Sequence, residues 1–245
     1  MLQNLKSPKF SSLLVASLLL VLIGCGGDKG TSSAPAADKL ELQDDVDGIY
    51  RAHLVSLNQA YAGSTGGTIT VRMRGDEIIV EGAIAGAPAG IKHYQFITTG
   101  QACPTAASDT NADGVVDAVE GASAYGPAII PLDSNLNTQV DGSDFGPIAN
   151  PAGAIVYRRS ASVSNLMSDL FEMDPTPKDH LVKLVPGERM ILNGKKVVLH
   201  GVSSELPATA SGMNDLTAAE SLPIACGILT RVSADEEPID LPEVF

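Results

Sequence analysis

The sequence predicts an all-β fold, an antiparallel sandwich or barrel with long loops. Many short segments alternate apolar and polar residues or carry β-branched side chains, and turn signals separate them. Helix signals are sparse, since only residues 164–172 and 215–221 suggest short helices. Many short strands joined by turns are typical of antiparallel sandwiches and barrels.

The predicted strands include two pairs that a turn signal joins into a hairpin. Gly75-Asp76 is a tight turn between residues 68–74 and 77–84, so these segments are predicted to pair as a β-hairpin. Asn193-Gly194 is a strong signal for a second hairpin, between residues 190–192 and 197–202. The other predicted strands are residues 49–57, 91–98, 154–162 and 223–232.

Residues 1–24 are predicted to be a lipoprotein signal peptide. Lys6 and Lys9 precede an apolar run over residues 13–23, which is shorter than the roughly 20 residues that a membrane-spanning helix needs. The run ends at Leu22-Ile23-Gly24-Cys25, which resembles a lipobox. We therefore expect cleavage before Cys25 and lipid on its thiol. An ordinary signal peptide followed by a chance cysteine is the alternative.

Lipid on Cys25 would attach this protein to a membrane. Each buried lipid CH₂ contributes about 0.8 kcal/mol, so several chains on one cysteine anchor firmly. In lipoprotein sorting, an aspartate directly after the cysteine indicates inner-membrane retention. The residue here is Gly26, so we expect a lipid-anchored protein of the cell envelope, with the outer membrane favoured.

Two further segments are predicted to lie outside the β-domain of residues 46–232. Residues 25–45 would form the lipidated cysteine and a flexible tether, because residues 26–38 are rich in Gly, Ser, Ala and Pro and lack large apolar side chains. Residues 233–245 are acidic, contain two prolines and are predicted to be a loose tail.

Composition excludes some partners and favours others. The chain has 29 acidic and 16 basic residues, whereas phosphate binding needs clustered Lys and Arg, so we expect no nucleic-acid partner. The excess of carboxylates suits divalent cations. Tryptophan is absent and other aromatic residues are few, which argues against a sugar-stacking platform. The sequence does not identify a protein partner.

Two cysteines remain in the predicted mature chain besides Cys25, namely Cys103 and Cys226. Exported proteins lie in oxidising surroundings, where two thiols usually pair, so a Cys103–Cys226 disulfide is predicted. Two separate buried thiols are the alternative. In the chain-entropy account, closing so long a loop stabilises the fold by about 4 to 5 kcal/mol.

Residues 109–120 match the calcium-loop pattern D-x-N-x-D-G-x-x-D-x-x-E. Ca²⁺ is a hard ion that takes six to eight oxygen ligands. The predicted ligands are Asp109, Asn111, Asp113, the Val115 carbonyl, Asp117 and Glu120. Gly114 is expected because a side chain would clash in the sharp turn, and Val116 occupies the usual apolar eighth position. An acidic surface loop that matches by chance is the alternative.

The sequence around this loop predicts a lone calcium site within a β-domain. The flanking residues 104–108 and 121–126 are poor helix formers, so a complete helix–loop–helix is not expected. Outside the cell a weak site, with a Kd of roughly 10⁻⁴ to 10⁻³ M, would still be filled. Such a site would stiffen a long loop.

Two segments and the cysteine pair resemble the copper/zinc superoxide dismutases. Residues 80–91 (VEGAIAGAPAGI) resemble the strand–turn–strand of that family. Residues 196–200 (KVVLH) and 225–229 (ACGIL) resemble its hydrophobic strand ending in a copper-ligand histidine and its C-terminal cysteine segment. Cys103 falls where the other disulfide cysteine of the family lies. The resemblance implies a superoxide-dismutase-like Greek-key β-barrel or sandwich, for which a chordin-repeat-like domain is an equally acceptable name.

The same resemblance implies copper-ligand histidines that this sequence lacks. The family has histidines at the positions of Lys92, Gln95 and Ile97, and the last two bind copper. An amide and an aliphatic group hold copper poorly. His93 is one residue out of place, so on a regular strand it would face away from the site.

The other catalytic features implied by the resemblance are also missing. No histidine lies between residues 103 and 154, where the zinc loop of the family would be. Pro223 replaces the arginine that guides the anionic substrate. Because only His200 remains of the family's metal ligands, copper is doubtful and catalysis is not expected.

The sequence thus favours a membrane-anchored, calcium-binding, non-catalytic envelope lipoprotein that acts as a binding or structural module. One alternative is a copper-dependent superoxide dismutase with rearranged ligands, using His93, His200 and a third ligand such as His53 or His180. For His53, which lies mid-strand, a hydrogen-bonded histidine on the barrel face is the commoner interpretation. The other alternative is calcium-dependent adhesion or envelope assembly, for which the acidic residues 133–144 would add oxygen ligands.

Overall fold

The structure is a computed structural model that describes residues 47–134, 136, 146–171, 191–213 and 216–233. All of these lie within the compact unit of residues 39–245. Its strands are β1 (Asp47–Ser56), β2 (Gly66–Arg74), β3 (Glu77–Ala85), β4 (Gln95–Thr98), β5 (Ala128–Pro131), β6 (Ile155–Ser162), β7 (Lys196–His200), β8 (Pro223–Ile228) and β9 (Thr230–Val232). Its helices are α1 (Gln59–Ala62), α2 (Ala118–Tyr125), α3 (Val163–Phe171) and α4 (Ala218–Ser221), with a 3₁₀ turn at Ala106–Ser108.

The strands form a single curled antiparallel sheet, so the all-β prediction is confirmed. The strand order is β5-β4-β7-β8-β1-β2-β3-β6, and β9 pairs with residues 49–51 of β1. The connection from β3 to β4 passes from one end of this order to the other, and the connection from β5 to β6 returns. The sheet is a half-barrel with long loops.

The first predicted hairpin is confirmed. Gly75 adopts a φ of 56°, which favours glycine, and Arg74 pairs with Glu77 across the turn. The second predicted hairpin is wrong. The turn at Asn193-Gly194 forms, since Lys195 N donates to Leu192 O (3.0 Å), but residues 191–192 are not a strand. Both edges of β7 are already occupied by β4 and β8, so no edge remains for a strand before the turn.

Other elements differ from the sequence prediction mainly in length. β4 covers only the second half of residues 91–98, because the first half contributes a single bridge, Lys92 to Ile148. β5 was not predicted, since its four residues follow Pro127, end on Pro131 and reveal no pattern of their own. The helix over residues 164–172 is confirmed as α3, although Glu172 lies outside the described residues.

The concave face of the sheet holds the main core. Alternate residues of each strand point inward, as Tyr50, Ala52 and Leu54 of β1 do. α3 packs against this core with apolar residues at helical spacing: Val163, Leu166, Met167 and Leu170. No helix in the described part of the chain is long and apolar enough to cross a membrane.

The other face of β4, β7 and β8 carries a second, smaller cluster. Val198 alternates with Val197 and Leu199, which lie in the main core, so its side chain points the opposite way. There it packs with Tyr125 of α2 and with Cys226. The segment between β4 and β5, which contains the predicted calcium loop, therefore lies over this face.

Candidate calcium loop and its surroundings

A disulfide joins this segment to the sheet. Cys103 and Cys226 are bonded, with their Cα atoms 5.7 Å apart and 123 positions apart in sequence, so the predicted pairing is confirmed. Cys226 is buried in β8, whereas Cys103 lies at the start of the segment. The bond therefore fixes one end of the calcium-loop segment on the sheet.

The backbone of residues 109–120 turns sharply at two left-handed residues. Ala112 has a φ of 58° and Gly114 a φ of 85°. A Cβ built on Gly114 would meet no atom of more distant residues within 4 Å, so the turn needs glycine for its backbone conformation and not for space. Glycine suits this position because it adopts positive φ without steric cost.

In the first half of the loop, side-chain oxygens accept hydrogen bonds from backbone amides of the same loop. Asp109 accepts hydrogen bonds from the amides of Asp113 (3.2 Å) and Gly114 (2.9 Å) on its two carboxylate oxygens. Asn111 Oδ1 also accepts from Asp113 N (2.9 Å), and Asp113 Oδ1 accepts from Val115 N (2.9 Å). The predicted ligands at the first, third and fifth positions thus lie inside the turn that they stabilise.

A capping box begins a helix at the end of the loop. Asp117 is the N-cap of α2, and its Oδ1 accepts from Val119 N (2.9 Å) and Glu120 N (3.0 Å). Glu120 Oε2 accepts in return from Asp117 N (3.1 Å). Residues 121–125 are therefore helical, although the sequence marks them as poor helix formers. Before the loop there is only the three-residue 3₁₀ turn, so one complete flanking helix is present among the described residues.

Glu120 also joins the end of the loop to its beginning. Its Oε1 accepts hydrogen bonds from Thr110 N (2.8 Å), Thr110 Oγ1 (2.8 Å) and Asn111 N (3.2 Å). The twelfth position thereby contacts the second and third. Loss of hydration raises the pKa of the Glu120 carboxyl, but the bonds from Thr110, Asp117 and Asn111 together outweigh it and leave the pKa below its ordinary value.

Residues far away in sequence hold the loop from two sides. Thr209 Oγ1 donates to Asp113 Oδ2 (2.6 Å), and Ser211 N donates to Asp117 Oδ2 (2.7 Å). The Thr209 bond is the main reason that the pKa of Asp113 lies below its ordinary value. On the other side, the Asn58 side chain bonds to both backbone groups of Val116. No sequence signal links these three residues to the loop, and sequence reasoning missed them.

The carboxylates of the loop do not converge on one point. Among the described residues, no group of three or more His, Cys, Asp or Glu side chains lies close enough together to hold a metal ion. The carboxylate oxygens of Asp109, Asp113 and Glu120 face amide and hydroxyl groups of the loop and its neighbours instead. Ion binding would therefore require these oxygens to release hydrogen bonds and to move toward one point.

His200 lies beneath α2 in an apolar environment. Its ring meets the rings of Phe96 and Tyr125 edge-on, with centroids 5.8 and 5.9 Å away. Burial lowers the pKa of His200 to about 4, although the Tyr94 carbonyl, 3.3 Å from Nδ1, acts in the opposite direction. The imidazole is therefore neutral at physiological pH.

His93 lies close to His200 but has both ring nitrogens engaged. Its Nδ1 lies 3.0 Å from the His200 carbonyl oxygen and its Nε2 lies 2.9 Å from the Pro88 carbonyl oxygen. The expectation that His93 faces away from His200 assumed a regular strand, whereas β4 begins two residues later. Neither nitrogen is directed at an open coordination position.

The positions equated with copper-ligand histidines face the main core. Ile97 is fully buried there, and Gln95 Nε2 donates to Leu132 O (3.1 Å) on the same side. Phe96, between them, shares the face of His200. His53 is exposed on β1, and its Nδ1 lies 3.3 Å from Thr68 Oγ1, so it is the hydrogen-bonded strand histidine that was expected.

Several predicted features lie outside the described residues: Cys25 and the signal peptide, the tether, His180, most of residues 133–144 and nearly all of the acidic tail. No protein-family model matches this chain, and no curated protein is significantly similar to it in sequence. The motifs and contacts above therefore carry the functional argument.

Proposed function

We propose that this protein is a calcium-binding lipoprotein of the cell envelope, held on a membrane by lipid on Cys25, and that its β-domain is a non-catalytic binding or structural module. The observation that carries the proposal is the loop of residues 109–120, whose turn and following helix bring Glu120 against Thr110 and Asn111. The crossed strand connections and the Cys103–Cys226 bond support a superoxide-dismutase-like Greek-key domain.

The hydrogen bonds of Asp109 leave capacity for a bound ion, whereas Glu120 Oε1 would have to release hydrogen bonds from Thr110 and Asn111 to bind one. An ionised carboxylate has about four lone-pair sites, so an oxygen that accepts one amide hydrogen bond keeps capacity for a cation. The two Asp109 oxygens each accept one such bond. A bound ion would take these oxygens, Asn111, Asp113 and the Val115 carbonyl as ligands. Asp117 and Glu120 would close the shell from the start of α2.

Elemental analysis tests the proposal directly. Residues 26–245, exported to an oxidising compartment and purified without chelator, are expected to carry about one Ca²⁺ per chain. Glu120→Gln should lose the ion, because a neutral amide cannot supply the charged bidentate ligand. Glu77→Gln, an exposed carboxylate on β3, is the matched control and should retain it. Calcium-free wild type would refute the proposal, as would stoichiometric copper.

Calcium should also stabilise the fold. A ligand that binds only the folded state, at about twenty times its Kd, adds about 2 kcal/mol to the free energy of unfolding. We expect millimolar Ca²⁺ to raise the urea midpoint of the wild type by a corresponding amount. The Glu120→Gln variant should show no such increase, and an equal increase in both proteins would indicate non-specific binding.

The lipid anchor is tested independently of calcium. In cells given labelled palmitate, the wild type is expected to take up label and to sediment with membranes. Cys25→Ser should take up none, since the hydroxyl cannot replace the thiol as lipid acceptor. Asp28→Asn, which follows the lipobox and leaves Cys25 and the disulfide intact, is the control. Labelling of the Cys25→Ser variant would contradict the anchor.

Neither alternative gains support from the described contacts. A rearranged copper centre would need His93, whose ring nitrogens face carbonyl oxygens. Calcium-dependent adhesion would use residues 133–144, most of which lie outside the described part of the chain. Adhesion remains testable, because removal of Ca²⁺ should then abolish partner binding while the domain stays folded.

A further inference from the structure

We propose that residues 234–245 of the acidic tail dock on the outer face of the sheet, where guanidinium groups line strands β2 and β6. Such docking requires neither calcium nor the lipid anchor. Three features support it: the register of four neighbouring strands, a carboxylate that two arginines share, and the place where the described part of the chain ends.

The outer face of the sheet carries a row of polar side chains across β1, β2, β3 and β6. Ala52 of β1 points into the core, so Arg51 beside it points outward. Residues that pair across antiparallel strands lie on the same face. The residues that pair in register with one another from β1 to β6 are Arg51, Thr70, Glu81 and Arg158.

Two guanidinium groups share one buried carboxylate in this row. Glu81 Oε1 accepts a hydrogen bond from Arg158 Nη1 (2.7 Å), and Glu81 Oε2 accepts from Arg72 Nη1. Arg72 lies two residues beyond Thr70 on β2 and therefore on the same face. Two cations against one anion leave an excess positive charge on this face, in a chain whose net charge is −13.

Both arginines keep hydrogen-bond donors for a second carboxylate. A guanidinium group has five N–H donors, and the bond to Glu81 occupies only one nitrogen of each arginine. The side chain of Arg158 is 67% exposed and that of Arg72 is 25% exposed, whereas that of Glu81 is 9% exposed. The carboxylate therefore lies beneath the guanidinium groups, whose outer edges would meet a ligand.

Apolar side chains flank these arginines on the same face. Ile49 and Ile79 pair in register with Arg72 from its two sides, and both are half-buried. Val156 lies two residues before Arg158 and is 48% exposed. The face thus offers positive charge between apolar side chains, which fits an acidic ligand that has apolar residues between its charges.

The tail has this composition. It contains no basic residue, and its carboxylates are those of Asp235, Glu236, Glu237, Asp240 and Glu243. Its large apolar residues are Ile239, Leu241, Val244 and Phe245. Pro238 and Pro242 lack the N–H that a strand within a sheet donates, so the tail is better suited to contact a sheet face through its side chains.

The described part of the chain ends beside this face. Val232 of β9 pairs with Ile49, which in turn pairs with Arg72. Arg158 on β6 lies four strand spacings from β9, or about 19 Å. The twelve residues of the tail span up to about 40 Å when extended, so they can cross the face. Covalent attachment gives the tail a high effective concentration, which compensates for the weakness of single exposed ion pairs.

Tryptophan fluorescence tests the proposal, because the chain contains no tryptophan of its own. Leu241→Trp places a single reporter among the tail carboxylates of residues 26–245. Acrylamide is a neutral quencher, so its access to the indole does not depend on charge. We expect a quenching constant about half that of a synthetic peptide of residues 233–245 with the same substitution, because docking shields the indole.

Two variants and a control, all made with Leu241→Trp, assign the shielding to the outer face. The first converts every tail carboxylate to its amide and should raise the quenching constant about twofold, to that of the peptide. Its substitutions are Asp235→Asn, Glu236→Gln, Glu237→Gln, Asp240→Asn and Glu243→Gln. Arg158→Gln leaves Arg72 paired with Glu81 and should raise the constant part of the way. Lys92→Gln, which removes an exposed charge before β4, should leave it unchanged.

Each outcome decides for or against docking. Equal quenching of the reporter in the full chain and in the peptide would refute it. So would a constant that stays low in the amide variant or in Arg158→Gln. An equal rise in Lys92→Gln and Arg158→Gln would also refute it, since total charge rather than the outer face would then control the tail. All measurements are made with a chelator present, so the result is independent of the proposed calcium binding.

Discussion

Replacing Cys103 and Cys226 together by alanine is expected to lower the free energy of unfolding by about 4 to 5 kcal/mol. The bond joins residues 123 positions apart, so its loss restores a large conformational entropy to the unfolded chain. Alanine is chosen because Cys226 is buried with Tyr125 and Val198, where a serine hydroxyl would lack a partner. Urea unfolding of the oxidised wild type and of the double variant measures the difference.

Reduction of the wild type provides the control for this prediction. A reductant should reproduce most of the loss in the wild type and should not change the double variant. A loss below about 1 kcal/mol in both experiments would contradict the prediction. It would mean that the unfolded chain is already compact enough for the cross-link to restrict it little.

The stability of the wild type is expected to fall as the pH drops from about 6.5 toward 4, because of His200. Burial lowers the pKa of His200 from 6.5 to about 4, so in this range the unfolded chain binds a proton that the folded protein does not bind. The contribution is fully present above the unfolded pKa and is lost as the pH falls through the folded pKa. At 1.36 kcal/mol per unit, the full effect is about 3 kcal/mol.

His200→Gln isolates this effect, since the amide does not titrate. Urea unfolding without Ca²⁺ across the same pH range should show a much smaller slope in the variant. The pKa values of Asp76 and Asp113 are lowered by hydrogen bonds, chiefly from Ser164 and Thr209, so these carboxylates add acid sensitivity at lower pH in both proteins. Equal slopes for wild type and variant would show that His200 is not the titrating group.

Local sequence features predicted the parts of the fold that depend on neighbouring residues. The β2–β3 hairpin follows from Gly75-Asp76 between alternating segments, and α3 follows from apolar residues at helical spacing. The turn at Asn193-Gly194 carries an equally strong local signal, yet it makes no hairpin. The difference is tertiary, because β4 and β8 already occupy both edges of β7.

The calcium loop shows the same division within one segment. Its ligand pattern is contiguous, so the sequence predicted it. The following helix was missed because the segment contains poor helix formers. The signal that favours this helix was present as Asp117 and Glu120, three positions apart, which form the capping box that begins α2. Asn58, Thr209 and Ser211 had no such signal, because their contacts cross from 58 to 96 positions in sequence.

By itself, the sequence determined what depends on residue type and close spacing: the all-β class, the first hairpin, the Cys103–Cys226 pair and the order of oxygen donors in the loop. Only the tertiary structure decided which face each strand residue occupies. Ile97 lies in the core and Phe96 lies against His200, because pairing with β7 sets the register of β4, and one residue of register reverses the face. That register depends on pairing between distant segments, which short-range patterns do not encode.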